Sequence, residues 1–492
     1  MGSQKTPRKP SRSNAFTITA FSLRDRIECA EQEHRLLDLD YVDNPTTSEF
    51  DYDSYGSSSD AEGGSVSAST GPSSSLPKSK RTAPRKPKWV RPPLPADRER
   101  SPTPPPPLGR RHGQRNRRRA ARREEASQLG TTLDAAVHRN RLAQTASTIT
   151  TNFDSDDILT ATSGYIGTER VDTEIKDQRL VHSFDDLVGE HSPWKFTVHS
   201  LFTRVPSLFT DDGQRVFLVR IAPPAGDRSF LNQAVEAGQV LDQYRPLFFN
   251  ENEPFPQHRR GDFPVKAFGV SFGGGQEVPK AIYQTKLDAK LVNRIRGMRC
   301  FRRLAGHASA AFATWAPKLH AMYHDYSLQL QKLIPDLKHN FPNSVFSCCT
   351  LNFGPRTTTV EHLDHKNYIF GWCAVTALGN FDHTRGGHMV LWDLKLVVEL
   401  PPGWTILLPS AYLRHSNTTI HEGESRFSFT QYTAGGLFRV IDDEGISRSR
   451  MSPAERRHAQ RLQRQRLNTD LNCYSTLQEL GVDANNVQVS MA

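Results

Sequence analysis

A histidine and an aspartate separated by one residue are the first side chains in the sequence that could do chemistry together. His362 and Asp364 form the only His-x-Asp in the 492 residues, at the junction between two predicted strands. In extended backbone, residues i and i+2 point to the same side, so the imidazole and the carboxylate converge from one segment. Both groups bind transition metals, and the pair leaves a metal ion in need of a third ligand.

His415 is the best candidate for that third ligand. It lies on a later predicted strand, 51 residues beyond Asp364. Two histidines and one carboxylate on one face are the facial triad of non-haem Fe(II) oxygenases, which leaves three coordination positions open. His365 falls one residue off the correct face. It is one of five neighbouring histidines that we do not assign to the metal: His339, His365, His383, His388 and His421.

An arginine and a serine after His415 could bind an anionic cosubstrate. Arg426 lies 11 residues beyond His415, and Gly423 between them offers a turn. A hairpin through that turn is expected to place Arg426 within a residue or two of His415 across the strands. A guanidinium there can hold a dicarboxylate bidentately. Ser428 faces the same side of the strand and can donate a hydrogen bond to the same carboxylate.

The elements that position these residues are predicted from apolar periodicity. Apolar residues at steps of three or four run from Phe301 to Leu333 and predict a long helical stretch with one buried stripe. Pro317 lies inside it, so a kink or two consecutive helices is expected. Upstream, Ser229 to Leu241 is predicted to be a helix.

Short strands dominate the rest of the folded part. Seven of them follow the long helix within about ninety residues, which leaves no room for crossover helices, so a mostly antiparallel sheet is expected. A jelly roll or barrel is the natural closure. The seven are Val345–Phe353, Tyr368–Leu378, His388–Trp392, Leu396–Leu400, Trp404–Leu408, Tyr412–Ser416 and Arg426–Thr433, preceded by predicted strands at Val216–Ile221 and Phe263–Phe272.

The net charge of +10 comes from one segment. Lys78 to Arg123 contain 17 basic and two acidic residues. Such a like-charged, Pro-rich segment cannot bury enough apolar surface to offset its chain entropy, so disorder is expected. The functional interpretation is a nuclear-localisation signal and a nucleic-acid tether, hence a nuclear protein with DNA as a partner. The alternative is a solubilising tail.

Composition divides the chain into three parts. Residues 1–190 are predicted to be mostly disordered, basic and Pro/Ser-rich, 191–445 to form the folded α+β domain, and 446–492 to be a polar, Arg-rich C-terminal helix and tail. No run of about 18 uncharged apolar residues occurs, which excludes a transmembrane helix, and the start lacks the apolar stretch of a secretory signal. Six scattered cysteines make no disulfide framework, which fits a reducing compartment.

The order of these motifs resembles a known superfamily. His-x-Asp, then His415, then Arg426-x-Ser428 within an all-β stretch looks like the 2-oxoglutarate and Fe(II)-dependent dioxygenases, over about residues 340–440. A wider segment resembles fungal proteins of the TET/JBP-like branch, over roughly 200–440. The matching stretches are Asn352-Phe353-Gly354-Pro355-Arg356, GGHMVLWDLKLVVELPPGWTILLPSAYLRHSN and RFSFTQYTAGGLFR.

The resemblance implies a fold, cofactors and residue roles. The fold would be a double-stranded β-helix (jelly-roll) core with flanking helices, preceded by the long disordered basic N-terminal region. His362, Asp364 and His415 would hold Fe(II), and Arg426 and Ser428 would hold 2-oxoglutarate as cosubstrate. The implied reaction is oxidation of a modified base such as 5-methylcytosine in DNA. A prolyl, lysyl or histone hydroxylase of the same fold and a catalytically inactive binding module remain alternatives, because no base-recognition loop is matched.

Three aromatic residues soon after the His-x-Asp pair have two possible roles. Tyr368, Phe370 and Trp372 fall at alternate positions and share one face of a predicted strand. They could line the pocket mouth and stack on a base. We favour the alternative that this face packs into the core.

Overall fold

The structure, a computed structural model, describes residue 118 and residues 142–490 apart from short gaps. The gaps are 162, 169–178, 201–203, 226, 251–254, 256–257, 274–275, 277, 338–339, 447, 449 and 483–486. Of residues 1–190, which are predicted to be mostly disordered, residues 1–141 lie outside the described part of the chain apart from Arg118. The basic segment Lys78 to Arg123, apart from Arg118, is among them. No helix within the described part is both long and apolar enough to cross a membrane.

The described chain contains both strands and helices, and most of the strands follow one another directly. The strands are β1 (Ser147–Thr150), β2 (Thr197–His199), β3 (Ser207–Thr210), β4 (Val216–Ile221), β5 (Val265–Ser271), β6 (Lys280–Ala281), β7 (Cys348–Asn352), β8 (Cys373–Asn380), β9 (Met389–Leu391), β10 (Leu396–Val398), β11 (Thr405–Leu408), β12 (His415–Asn417), β13 (Ser425–Tyr432) and β14 (Val487–Ser490). The helices are α1 (Phe184–Leu187), α2 (Arg228–Phe248), α3 (Lys286–Gly297), α4 (Arg299–Trp315), α5 (Pro317–Leu333), α6 (Gly435–Asp442), α7 (Pro453–Asp470) and α8 (Leu477–Leu480).

The strands form two sheets. One has ten strands in the order β14-β1-β3-β4-β11-β8-β13-β7-β5-β6, and the other has four in the order β12-β9-β10-β2. Most neighbours are antiparallel, as predicted; β1 with β3, β1 with β14, and β10 with β2 are parallel. Apolar residues of both sheets, such as Leu391 and Val398 from the small sheet and Ala374 and Ile406 from the large one, belong to one buried cluster. The α+β class is therefore confirmed.

The long apolar stripe forms two consecutive helices. α4 ends at Trp315 and α5 begins with Pro317 at its first position, where the missing N–H costs no intrahelical hydrogen bond. Phe312, on the buried face of α4, stacks on Phe346 and Trp372, with ring centroids 5.5 and 5.3 Å away. The break predicted from Pro317 is confirmed, and the helical layer rests on the residues that flank β7 and β8.

The folded part is wider than the 191–445 segment. β1, from the N-terminal side, lies between β3 and β14 in the large sheet, and β14 comes from the C-terminal tail. Arg466 of α7 lies over the Tyr165 ring, 3.9 Å from its centroid. The division into three parts remains a prediction, but both flanking parts contribute strands or helices to the fold.

The aromatic triplet after the His-x-Asp pair is part of the core. Tyr368, Phe370 and Trp372 are only 1%, 5% and 1% exposed. Tyr368 stacks on Phe438 with 4.2 Å between centroids. β8 begins only at Cys373, so the three residues lie in a turn before the strand rather than on a strand face. The core interpretation is confirmed, and a role at the pocket mouth is wrong.

Candidate metal centre and anion pocket

The two candidate metal histidines are direct cross-strand neighbours. His362 and His415 exchange backbone hydrogen bonds in an antiparallel bridge, with N–H···O distances of 3.1 and 3.0 Å. Residues paired in this way project their side chains to the same face. Their ring centroids are 4.3 Å apart. Backbone pairing thus brings together two candidate ligands that are far apart in the sequence.

Asp364 completes the group. Its Oδ1 lies 3.9 Å from His362 Nε2 and its Oδ2 lies 3.8 Å from His415 Nε2. The three donor atoms all lie within 4.8 Å of one another, and no other such His, Cys, Asp or Glu group occurs in the described residues. The Asp364 backbone N–H donates to the Ser410 carbonyl at 2.8 Å, which fixes this segment beside the strand-connecting loop. The convergence predicted from the sequence is confirmed.

Both imidazoles present an unprotonated nitrogen to the centre of the group. His362 Nδ1 lies 2.8 Å from the Val360 carbonyl and His415 Nδ1 lies 2.9 Å from the Leu413 carbonyl. A carbonyl only accepts, so each Nδ1 carries the hydrogen and each Nε2 is left with its lone pair. A carbonyl behind each ring is the usual way in which a metal-binding histidine is oriented.

The electrostatics of the group also favour metal binding. Burial, together with the neighbouring His415, holds the pKa of His362 well below its usual value, and burial lowers the pKa of His415. Burial alone would raise the pKa of Asp364, but His362, Arg259 and His415 together hold it below its usual range. At neutral pH the site therefore contains two neutral imidazoles and one carboxylate. This donor set fits Fe(II).

An arginine absent from the predicted site contacts the carboxylate of the candidate metal ligand Asp364. Arg259 Nη2 donates to Asp364 Oδ1 at 2.9 Å, and its Nη1 donates to the Leu363 carbonyl. Arg259 lies in the loop before β5, about a hundred residues upstream of Asp364. Because no spacing or periodicity links that loop to the His-x-Asp pair, the sequence carries no signal for this contact.

A three-residue ion-pair network lies next to the metal histidines in the chain. Arg414, which precedes His415, donates from Nε to Asp393 Oδ1 at 2.8 Å and from Nη1 to Glu361 Oε1 at 2.7 Å. Glu361 precedes His362. In extended backbone, consecutive side chains point to opposite faces, so this network holds the two segments together from the side opposite the metal. We call Glu361, Arg414 and Asp393 the ion-pair clamp.

Arg426 is not placed by a hairpin with His415. β12 pairs with β9 in the small sheet, whereas β13 lies between β8 and β7 in the large sheet. The chain crosses from one sheet to the other around Gly423, so the predicted pairing is wrong. The connection is instead through the Thr357 carbonyl, which accepts from Arg426 Nη1 and from Asn417 Nδ2, both at 3.2 Å. Asn417 lies two residues beyond His415 on β12.

Arg426 is a buried cation without a carboxylate partner in the described residues. Its side chain is among the largest fully buried ones, and its Nε has no hydrogen-bond partner. Burial lowers the pKa of Arg426 to about 10, and no acidic group offsets this. A buried guanidinium is costly unless an anion neutralises it. The pocket therefore fits one carboxylate of 2-oxoglutarate.

His388 is a second donor at this pocket, and it was not assigned in the sequence. It is fully buried, and its Nε2 has no partner in the described residues. The Thr418 hydroxyl accepts from the His388 backbone N–H and lies 3.0 Å from Nδ1. The Thr418 hydrogen is free to go to Nδ1, which favours a hydrogen on Nε2. Burial, with His383 and Arg426 nearby, lowers the pKa of His388 to about 4, so it is a neutral donor.

Ser428 is on the same strand face as Arg426. It is buried, and its Oγ accepts from Asn352 Nδ2 at 2.7 Å across the β7–β13 pair. Its own hydrogen remains available to a carboxylate. The assignment of Arg426 and Ser428 to the cosubstrate stays a prediction, and the structure shows that both are buried on adjacent inward positions.

Comparison with known proteins found similarity only in structure. No protein-family model matches the chain, and no curated protein matches it in sequence. The chain is similar to NgTET1 in complex with 5mC DNA, at 13% identity over 49% of this chain and 82% of that chain, with a TM-score of 0.33.

Two further similar structures are a 2OG-Fe(II) oxygenase family oxidoreductase from Burkholderia pseudomallei and a Pseudomonas putida prolyl-4-hydroxylase. The first is 18% identical over 44% of this chain and 92% of that chain, with a TM-score of 0.23. The second is 16% identical over the same shares, with a TM-score of 0.25.

Proposed function

We propose that this protein is an Fe(II)- and 2-oxoglutarate-dependent dioxygenase with a double-stranded β-helix core, and that it oxidises a modified base such as 5-methylcytosine in DNA. The observation that carries the proposal is the pairing of two incomplete groups. A partly buried His362, Asp364 and His415 set lacks only a metal, and a buried Arg426 lacks only an anion. The two groups are linked through one carbonyl, that of Thr357.

The residues of the chain divide the work between them. His362 Nε2, His415 Nε2 and an Asp364 oxygen hold the metal, which supplies oxygen activation when bound with the cosubstrate. Arg426 and the neutral His388 Nε2–H hold the far carboxylate of 2-oxoglutarate, with Ser428 beside them. Burial of all these groups excludes water from the reacting positions and strengthens each charge-assisted bond.

DNA as the substrate is supported by two features of the sequence. The segment Lys78 to Arg123 carries 17 basic residues, and such a block binds nucleic acid whatever its sequence. The resemblance to TET/JBP-like proteins is the other feature. A base inside a duplex must be flipped out of the stack before it can reach a buried metal. On this proposal the protein acts in the nucleus.

The test is product analysis with purified full-length protein. The protein is incubated with Fe(II), 2-oxoglutarate, oxygen and a 5-methylcytosine duplex, and the nucleosides are analysed by mass spectrometry. We expect 5-hydroxymethylcytosine or its further-oxidised forms, with one succinate per oxidation, and neither with the Asp364→Ala variant. Parallel incubations contain an unmethylated duplex and histone peptides. If a peptide is hydroxylated and no oxidised nucleoside is found, the proposed substrate is wrong. The proposed Fe(II)- and 2-oxoglutarate-dependent reaction is then still supported.

A further inference from the structure

The folded part of the chain contains a second concentration of positive charge, distinct from the N-terminal basic segment. Residues 280–303 hold eight basic residues and one acidic residue, whereas residues 124–492 as a whole hold 39 of each. The positive charge of this region is therefore concentrated in a few segments. One comprises β6, α3 and the start of α4, and another is residues 446–469, with seven basic residues and one acidic residue. A local excess of this kind creates an attractive potential for an anionic polymer.

On α3 the positive residues follow one side of the helix. Lys286, Lys290 and Arg294 are spaced by four, so they succeed one another along one face over roughly 12 Å. Lys286 and Lys290 are exposed. Asp288, the one acid of the segment, is turned inward and is paired with Lys266 Nζ at 2.9 Å. The charged side chains that α3 itself places along this side are therefore all cations. We call Lys286, Lys290 and Arg294 the α3 stripe.

The backbone around β5 places the start of this stripe near the candidate site. The segment after β6 runs antiparallel beside β5, since the Ile282 N–H donates to the Gly269 carbonyl and Gln284 Nε2 donates to the Ala267 carbonyl. Its direction is therefore from the last residues of β5 toward the first. α3 begins where β5 begins.

The beginning of β5 is also the end of the sheet where the anion pocket lies. Val265 pairs with Asn352, which in turn pairs with Ser428. The chain just before Val265 is the loop of Arg259, which contacts Asp364. The α3 stripe therefore starts at the same end of the large sheet as the site. α3 itself packs on the other face of the sheet, since Leu291, Val292 and Ile295 share a buried cluster with Phe427 and Phe429.

Exposed side chains at the start of the stripe add contacts suited to a nucleic-acid backbone. Tyr283 is 61% exposed and precedes α3 by three residues. Tyrosine hydroxyls, like lysine and arginine, commonly contact phosphate oxygens. Lys280, on the short edge strand β6, is exposed as well. The surface combines several cations with a hydroxyl donor.

We infer that the α3 stripe binds the phosphate backbone of the duplex that flanks the base in the active site. The inference rests on the proposed function for the identity of the bound base, but not for the contact with DNA. An elongated cationic face at the site end of the sheet fits a polyanion that extends past the pocket on one side. The stripe then orients the duplex, while the N-terminal basic segment supplies sequence-independent tethering.

The experiment measures the salt dependence of DNA binding by the full-length protein. The variant Lys286→Gln/Lys290→Gln is compared with wild type and with Arg204→Gln/Lys332→Gln, which removes two exposed charges outside residues 280–303. Fluorescence anisotropy with a labelled 5-methylcytosine duplex gives log Kd against log salt. Each lost phosphate contact lowers the slope by about 0.9, so the first variant should lose up to about 2 from the slope and the control should lose nothing. Thermal melting checks that each variant is folded.

Turnover separates this inference from the proposed function. If base oxidation occurs, the Lys286→Gln/Lys290→Gln variant should show a raised KM for DNA with an unchanged kcat. If that variant oxidises the base with the wild-type KM and binds DNA with the wild-type salt slope, the α3 stripe is not a DNA contact. The proposed enzymatic activity is then unaffected. If the salt slope of DNA binding is reduced but no oxidised base is found, the α3 stripe contacts DNA. The proposed substrate is then wrong. Equal slopes for the variant and the control overturn the inference whatever the activity.

Discussion

The protein supplies the candidate metal ligands with several hydrogen-bond and ion-pair partners, whereas it supplies the more deeply buried Arg426 with few. Asp364 has Arg259 at 2.9 Å, both metal histidines donate to carbonyls, and the ion-pair clamp ties their segments together. Arg426 has one carbonyl contact and no carboxylate in the described residues. The metal half is therefore organised before any ligand arrives, whereas the anion half is complete only with its ligand.

Loss of a metal ligand should have the largest effect. His362→Ala, Asp364→Ala or His415→Ala should abolish turnover and Fe(II) binding, because each removes one of three donors at a site with no fourth candidate in the described residues. The fold should survive, since the three side chains are polar and belong to none of the apolar core clusters of the described residues. Succinate release and anaerobic metal titration are the measurements, with His365→Ala as the control. Succinate release at the wild-type rate from any of the three variants would show that the assignment of these residues as metal ligands is wrong.

Changes at Arg426 should come next. Arg426→Lys should raise the KM for 2-oxoglutarate by ~30- to 1000-fold, because a point charge does not replace a bidentate fork and the loss is on the order of 2–4 kcal/mol. Fe(II) affinity should be unchanged. Steady-state kinetics with varied 2-oxoglutarate test this, and an unaltered KM counts against the anion pocket.

The unpaired state of Arg426 has a consequence for stability. In ligand-free protein, Arg426→Met should leave the free energy of unfolding unchanged or raise it, since it removes a buried charge that lacks an anion. The same exchange at Arg259 should lower stability or metal affinity, because it leaves Asp364 without its cation. Chemical denaturation with and without 2-oxoglutarate makes the comparison. Equal destabilisation by both exchanges contradicts the contrast between the two halves.

Acidification should act on the anion half through His388. Its pKa in the folded state is about 4, because burial disfavours the charged form. Between pH 6.5 and 4 the unfolded chain takes up a proton on this residue that the folded protein does not, so stability falls as pH falls, by up to about 3 kcal/mol. In His388→Gln, the unfolding free energy should depend less steeply on pH between 6.5 and 4. The difference in slope should correspond to close to one proton. Denaturant unfolding across this range tests it, with the exposed His458→Gln as the control.

The ion-pair clamp should have the smallest effect. Arg414→Lys retains the charge but cannot reach Asp393 and Glu361 together, so Fe(II) affinity should fall by ~10- to 100-fold, as is usual for groups that orient metal ligands. The KM for 2-oxoglutarate at saturating iron should be unaltered. Arg215→Lys is the matched control, because Arg215 also bridges two carboxylates, Asp156 and Asp211. A metal affinity equal to that of the control contradicts a positioning role.

Much of the architecture could be read from the sequence because its signals are local. The alternation of apolar residues located all seven strands after the long helix, within a few residues at each end. Pro317 located the break between α4 and α5. The one-residue spacing of His362 and Asp364 places them on one side of an extended segment, whatever the remainder of the chain does. Residue type, together with position on later predicted strands, then made His415 and Arg426 candidates.

Which strands pair, and which side chains meet through that pairing, was decided only by the tertiary structure. Periodicity reports which face of a strand is buried but not its neighbour, so it could not show that β12 and β13 lie in different sheets. Arg259 and His388 carry no spacing signal, because each reaches its partner across a separate strand or loop. The unpaired Arg426 is likewise a property of the assembled core. A buried charge is recognised only when every group around it is known.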